Sequence, residues 1–369
     1  MLRFLLQHGR AGLLTTAALG PALFSAALLS AAVFSAALGA CGSPPPKVPE
    51  PAPAAEKPSA PLSPVLSEAP SPPVLLREVG FLAPQAALHD PDEDVYLVSN
   101  SNGAAGEADG NGFISRVSPE GARVTLKWID GANGVGLDAP KGMALWGDKL
   151  YVADINLVRS FDRKTGEPLG KVAILTAHDL DALAVAPDGT LYVSDTGQLG
   201  PKTELGKRKG KGKGSEPQAA SSDAIYAVDA RGVSRLVVKG AELGQPTGLL
   251  ADAAGLWVAN LSGELYRVAA DGQRAPGIRL PGAGLHGLLE TEGGRLVIAS
   301  AETSTVYVAK GHGGAAAGGA TLPEGFEPLI TELSSPGQLG YDRRRRQLIV
   351  PLVKDDALYI QQIPAREAR

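Results

Sequence analysis

The chain has a single cysteine in 369 residues, Cys41, so it cannot form an intramolecular disulfide. It also lacks a large charge of either sign. The formal balance is −4 at pH 7, which argues against a nucleic-acid partner. One basic cluster does occur, formed by Lys202, Lys207, Arg208, Lys209, Lys211 and Lys213, with Glu204 the only acid nearby. It contains no aromatic residue on which a base would stack. It reads as a solvated loop in a Gly-rich insertion.

The position of Cys41 is informative. Arg3 and Arg10 give a basic start, residues 11–37 are almost all Ala, Leu, Gly, Phe and Ser, and Leu38-Gly39-Ala40-Cys41 ends the apolar run. This arrangement resembles the bacterial lipoprotein signal, in which an aliphatic residue and two small residues precede the lipidated cysteine. The resemblance implies a signal peptide over 1–40, cleavage before Cys41 and acylation of the new N-terminus. Two or more acyl chains give the stable anchoring that one does not. Gly42 and Ser43 follow, with no Asp. In a Gram-negative cell that implies sorting to the outer membrane. An uncleaved spanning helix is the alternative, because the run exceeds the ~20 residues a bilayer needs.

Residues 41–73 form a linker rich in Pro, Ala, Ser and Glu, from Pro44-Pro45-Pro46 to Pro72-Pro73. Such a stretch buries too little apolar surface to fold and favours extended polyproline II. At ~3.1 Å per residue it reaches up to ~100 Å.

From residue 74 the chain repeats. The first line of each unit is Pro-x-Gly or a variant, centred on 84, 140, 180, 246, 285 and 336. The second is Leu-Tyr-Val-(Ala/Ser)-(Asp/Asn) or a variant, at 96–100, 150–154, 191–195, 256–260, 296–300 and 348–352. A third short strand follows in each unit. The intervals between first lines are 56, 40, 66, 39 and 51, and the three long ones contain insertions at 101–112, 197–221 and 311–325. A period near 40 with about four strands per unit predicts propeller blades. The sixth unit lacks a fourth strand, and residues 74–79 offer one. The expected fold is all-β: a six-bladed β-propeller over 74–369, closed by an N-terminal strand.

Two family resemblances accompany this pattern. Leu150-Tyr151-Val152-Ala153-Asp154 with Val158-Arg159-Ser160-Phe161-Asp162 resembles an NHL repeat, and 182–195 resembles the regucalcin and gluconolactonase family. The latter implies a calcium- or zinc-dependent sugar lactonase. The positions its metal set would occupy carry Gln85, Thr247 and His286, and only Asp181 offers a suitable side chain. That argues against carrying the metal site over.

The repeat alignment places Gln85, Lys141, Asp181, Thr247, His286 and Gly337 around one mouth of the axial channel. Polar groups converging on a concave mouth suit a small polar ligand. The competing reading is an internal ion pair between Lys141 and Asp181 in a solvated channel. Asp181 and His286 are the titratable pair from which catalysis would have to come. Asn100, Asp154, Asp195, Asn260 and Ser300 form a column at the ends of the second strands, where such residues bond turn backbone. Glu107, Asp109 and Asn111 resemble the start of a calcium loop, with Ser118 where the closing Glu belongs. Calcium is the one cofactor this segment suggests.

The functional expectation is an envelope-anchored protein that binds a small ligand or an envelope protein through its channel mouth. Lactone hydrolysis and a structural role in an envelope assembly are the alternatives. Strand 74–79 should start on the far face, beside the arginine turn 343–346.

Overall fold

The structure, a computed structural model, describes residues 71–103, 107–131, 136–197, 222–311 and 322–364. The expectations for residues 1–70 and for the basic cluster at 202–213 lie outside the described residues.

Six four-stranded antiparallel sheets form the six blades. Blade one holds β2 (Pro84–Asp90), β3 (Val95–Asn100), β4 (Phe113–Val117) and β5 (Val124–Ile129). Blade two holds β6 (Pro140–Trp146), β7 (Lys149–Asp154), β8 (Leu157–Asp162) and β9 (Pro168–Ala173). Blade three holds β10 (Leu180–Val185), β11 (Leu191–Asp195), β12 (Ala224–Val228) and β13 (Ser234–Lys239). Blade four holds β14 (Pro246–Asp252), β15 (Gly255–Asn260), β16 (Glu264–Ala269) and β17 (Ile278–Arg279). Blade five holds β18 (Leu285–Glu290), β19 (Leu296–Ser300), β20 (Thr305–Ala309) and β21 (Phe326–Ile330). Blade six holds β22 (Gly340–Asp342), β23 (Gln347–Leu352), β24 (Ala357–Gln362) and, as its outer strand, β1 (Val74–Leu76).

The burial of each strand explains its composition. β11 and β15 lie between neighbouring sheets and are buried at every residue, so they read as apolar runs and not as alternations. The outer strand β9 is exposed at five of its six residues and tolerates Pro168, Gly170 and Lys171 there. Six apolar clusters fill the interfaces between adjacent blades. Leu97 and Ile114 of blade one pack with Leu150 and Phe161 of blade two. Tyr96 and Val98 of blade one pack with Ile349, Leu358 and Ile360 of blade six. No blade buries both faces alone, so the stack is stable only as a closed ring. All six sheets and clusters lie within the compact unit Leu66–Arg369, which therefore holds every contact that closes it.

Closure uses three layers of contact. On the outside, β1 pairs with β24 in the register Val74↔Ile360 to Leu76↔Leu358. On the inside, Gln338 N donates to Gln85 O at 2.8 Å and Ala87 N donates to Gln338 O at 3.0 Å, joining blades six and one directly. On the far face, Arg345 donates to both oxygens of Asp94 in blade one at 2.7 Å and to Asp342 Oδ2 of its own blade at 2.9 Å. The Tyr96 hydroxyl donates to the same Asp342 oxygen at 3.0 Å. Among the described residues, His89, Asp94 and Asp342 are the three metal-ligating side chains that lie close together. The Arg345 guanidinium already supplies the cation there.

Asp342 is fully buried and depends on Arg345, which is one-third exposed. Arg345→Ala should cost about 2–3 kcal/mol in urea unfolding, below the range for a fully buried pair. Arg344→Ala removes only a 3.7 Å contact from a side chain that is 57% exposed. It should stay within about 0.5 kcal/mol of the parent. Equal midpoints for the two variants would remove this bridge from the closure.

Candidate functional site

The inner strands bring the predicted residues to one level. Gln85, Lys141, Asp181, Thr247 and His286 are each the second residue of β2, β6, β10, β14 and β18. Each of these strands carries a register shift at or just beyond that position. A bulge re-aims the side chains beside it, so the local irregularity is what turns this level toward the axis.

The Asn/Asp/Ser column holds the loops that lead into these strands. Asn100 Oδ1 accepts from Leu82 N at 3.1 Å, and Asp154 Oδ1 accepts from Ala139 N at 2.7 Å. Asp195 Oδ1 accepts from Asp179 N at 2.9 Å. Asn260 donates to Leu243 O at 2.9 Å and Ser300 donates to Ala283 O at 2.7 Å. Every member bonds backbone of its own blade, so the column is structural.

Two of the expected mouth residues are also spent locally. Gln85 Nε2 donates to Ser101 Oγ at 3.1 Å, and the Thr247 hydroxyl donates to Leu285 O. The sixth place, Gly337, brings no side chain. Its neighbour Gln338 does, and it reaches across the ring from blade six to blade three. Its Nε2 donates to Asp181 Oδ1 at 2.7 Å. Gly142 makes room for this crossing, since a Cβ there would lie 2.3 Å from Asp181 O and 3.0 Å from Gln338 Oε1.

What remains is a buried polar cluster. Lys141 Nζ lies 2.6 Å from Asp179 Oδ1 and 3.3 Å from Asp181 Oδ2, so the cross-blade ion pair is present and includes a second carboxylate. Thr196 Oγ1 donates to the other oxygen of Asp179 at 2.9 Å. Burial pushes the Asp181 carboxyl up to about 6, with Asp179 adding to the rise and Lys141 opposing it. Burial also disfavours the Lys141 ammonium, but its two carboxylate neighbours outweigh that and raise its pKa. His286 is pushed down to about 4 by burial and then by the Lys141 charge, so it is neutral at pH 7. The imidazole is half-buried, and no hydrogen bond contributes to its shift.

This arrangement limits the chemistry. Asp181 is engaged by Lys141 and Gln338, and His286 is not bonded to it, so the two do not form a hydrogen-bonded acid–base pair. The divalent ion implied by the lactonase resemblance does not fit, because the Lys141 ammonium already sits between the two carboxylates. In the loop of blade one, Asp109 accepts from Asn111 N at 3.3 Å and Asn111 Nδ2 at 2.6 Å, while Glu107 is exposed.

Beneath Gln338 the axis widens into a cavity of about 240 Å³. Leu88, Met143, Leu183, Leu250 and Leu289 line it, and it reaches the far face beside Tyr341 and Arg343. Aliphatic side chains share its wall with polar groups, among them His89, Glu290 and Gln338.

Sequence reasoning missed Asp179 and Gln338. Asp179 had a signal: Asp179-Leu180-Asp181 puts two carboxylates two residues apart, on one face of an extended chain. Gln338 had none, because the aligned position holds Gly337.

The two shifted groups oppose each other in stability. Asp181, at about 6 against an ordinary 3.8, keeps a proton that the unfolded chain has lost, so its contribution falls as pH rises from 4 to 6. His286, at about 4 against 6.5, excludes a proton that the unfolded chain binds, so its contribution rises from pH 4 to 6.5. Urea unfolding across this window should separate them. Relative to the parent, His286→Gln should lose ground as pH rises and Asp181→Asn should gain it, by roughly 2–3 kcal/mol at most. Parallel curves for parent and variants would refute the assigned environments.

No protein-family model matches the chain, and no curated protein matches it in sequence. Among solved structures it is similar to a protein assigned as a gluconolactonase in a structural-genomics programme, with TM-score 0.53 and 14% identity over 79% of this chain and 93% of that one. It is also similar to a luciferin-regenerating enzyme, with TM-score 0.53 and 11% identity over 79% of this chain and 96% of that one. At these identities the likeness is one of fold. The chain is a six-bladed β-propeller with structural neighbours in the gluconolactonase and regucalcin group.

Proposed function

We propose that this chain is a lipoprotein of the bacterial envelope, held by acyl groups on Cys41, whose propeller binds a small polar ligand at the channel mouth. The observation that carries the ligand reading is the buried cluster of Lys141, Asp179, Asp181 and Gln338 beside an uncommitted His286. Burying an ion pair is rarely a net gain in stability over apolar packing. Buried polar groups with perturbed protonation at a concavity are where ligand sites are found. Lys141 and Gln338 offer donors, while Asp181 and His286 offer acceptors. That pattern suits a compact molecule bearing hydroxyl and carbonyl or carboxylate groups.

Lactone hydrolysis is the second reading. It is favoured by the structural neighbours together with a carboxyl held near 6 and a neutral imidazole at the mouth. In this reading Asp181 would act without a metal.

Thermal shift of residues 66–369 with a panel of monosaccharides, aldonic acids and aldonolactones should find at least one stabilising compound. Asp181→Asn combined with His286→Ala should abolish that shift, and calcium should produce none. A shift that survives the double substitution would sink the mouth assignment. Turnover of an aldonolactone that vanishes in Asp181→Asn would establish hydrolysis over binding.

The anchor has its own test. In bacteria fed radiolabelled palmitate, the full chain should take up label and Cys41→Ser should not. Equal labelling of both would overturn the lipoprotein reading.

A further inference from the structure

The far face carries a second concavity, between blades five and six, with a volume of about 460 Å³. Its floor is apolar, built from Leu329, Ile363 and Pro364, and its rim carries Arg343, Arg344 and Arg346. We propose that this pocket docks the phosphate headgroup of an anionic phospholipid on the membrane to which the chain is tethered. The orientation rests on the Cys41 anchor reading; the pocket itself does not.

The arginine turn is rigid and its charges are divided. Asp342 Oδ1 accepts from Arg344 N at 2.8 Å and Arg345 N at 3.1 Å, fixing the turn from inside. Arg346 takes φ 53° and its carbonyl accepts from Ile363 N at 2.8 Å. Arg345 turns inward and is consumed by Asp94 and Asp342. Of the other three, Arg343 and Arg344 are exposed and Arg346 is half-buried at the pocket wall. Arg343 donates only to the carbonyl oxygen of Glu290, Arg344 reaches Asp94 at 3.7 Å, and Arg346 has no ion pair among the described residues. One carboxylate lines the pocket, Glu292, and it accepts from the Tyr341 hydroxyl. Arg295 is matched by Glu327 at 2.9 Å. Three under-neutralised guanidiniums over an apolar floor fit a phosphate diester whose acyl chains lie against the protein.

The described chain begins beside this turn. Ser71 N donates to the Gln362 side chain at 3.1 Å, and Val74 pairs with Ile360 at the far-face end of β24. Cys41 precedes Ser71 by a Pro-rich stretch. The tether therefore joins the ring on the face that bears the pocket, so the anchoring membrane lies within reach of these arginines.

Vesicle co-sedimentation of residues 66–369, which carry no anchor, tests this directly. Binding is expected to vesicles of phosphatidylglycerol mixed with phosphatidylcholine, to weaken with salt, and to be absent with phosphatidylcholine alone. Arg343→Gln, Arg344→Gln and Arg346→Asn together should weaken it by roughly five-fold per arginine. Asparagine tolerates the left-handed conformation at 346, and Arg345 is left in place to hold the turn. A control triple, Lys171→Gln, Arg235→Gln and Lys239→Gln, removes the same charge from exposed outer strands of blades two and three. Equal losses from both triples, no loss from the pocket triple, or equal binding to neutral vesicles would each overturn the proposal. Failure of palmitate labelling at Cys41 would leave this result standing, so the two readings fail separately.

Discussion

Everything in this molecule depends on joining the last blade to the first. The six apolar interfaces are equivalent in kind, but only the one between blades six and one joins the two ends of the repeat array. It is also the interface with the most varied chemistry. An outer strand comes from the N-terminal side of the ring, backbone bonds join the inner strands through Gln338, and Arg345 bridges Asp342 to Asp94 across the seam. Apolar packing drives the blades together without choosing a register. The hydrogen bonds and the buried ion pair choose it.

Closure also builds the site. Gln338 bonds Gln85 and Ala87 through its backbone and Asp181 through its side chain. One residue therefore belongs both to the seam and to the mouth. Lys141 and its two carboxylates are tolerated in this enclosed place because their charges are mutually satisfied, whereas the half-buried His286 faces the Lys141 charge without such compensation.

The fold was legible because a propeller writes its architecture as repetition. Middle strands such as Leu191–Asp195 are buried on both faces and carry the strongest pattern. Their period gave the number of blades, and the missing sixth outer strand gave the closure. The level of the mouth was legible for the same reason, since five inner strands place the aligned residue identically. Which of those residues remain available was not legible. Gln85 and Thr247 are spent on near neighbours that alignment does not rank, and Asp179 is aimed by its backbone N–H bond to the Asp195 carboxylate and by a hydroxyl from Thr196. Likewise, four consecutive arginines read as one charge cluster, yet three-dimensional packing turns Arg345 inward and leaves its neighbours out. Repetition fixes positions, while the fate of a side chain is decided by contacts particular to one blade.

The amide of Gln338 has a further consequence. It donates to Asp181 from the opposite side of the ring, and it lines the chamber behind the mouth. A ligand that accepts this donor in place of Asp181 leaves the carboxylate with one fewer stabilising bond. In the proposed binding reading the carboxyl would then retain its proton to higher pH, so filling the mouth would draw in a proton near neutrality. The seam of the ring and the protonation of its axis thus meet at one side chain.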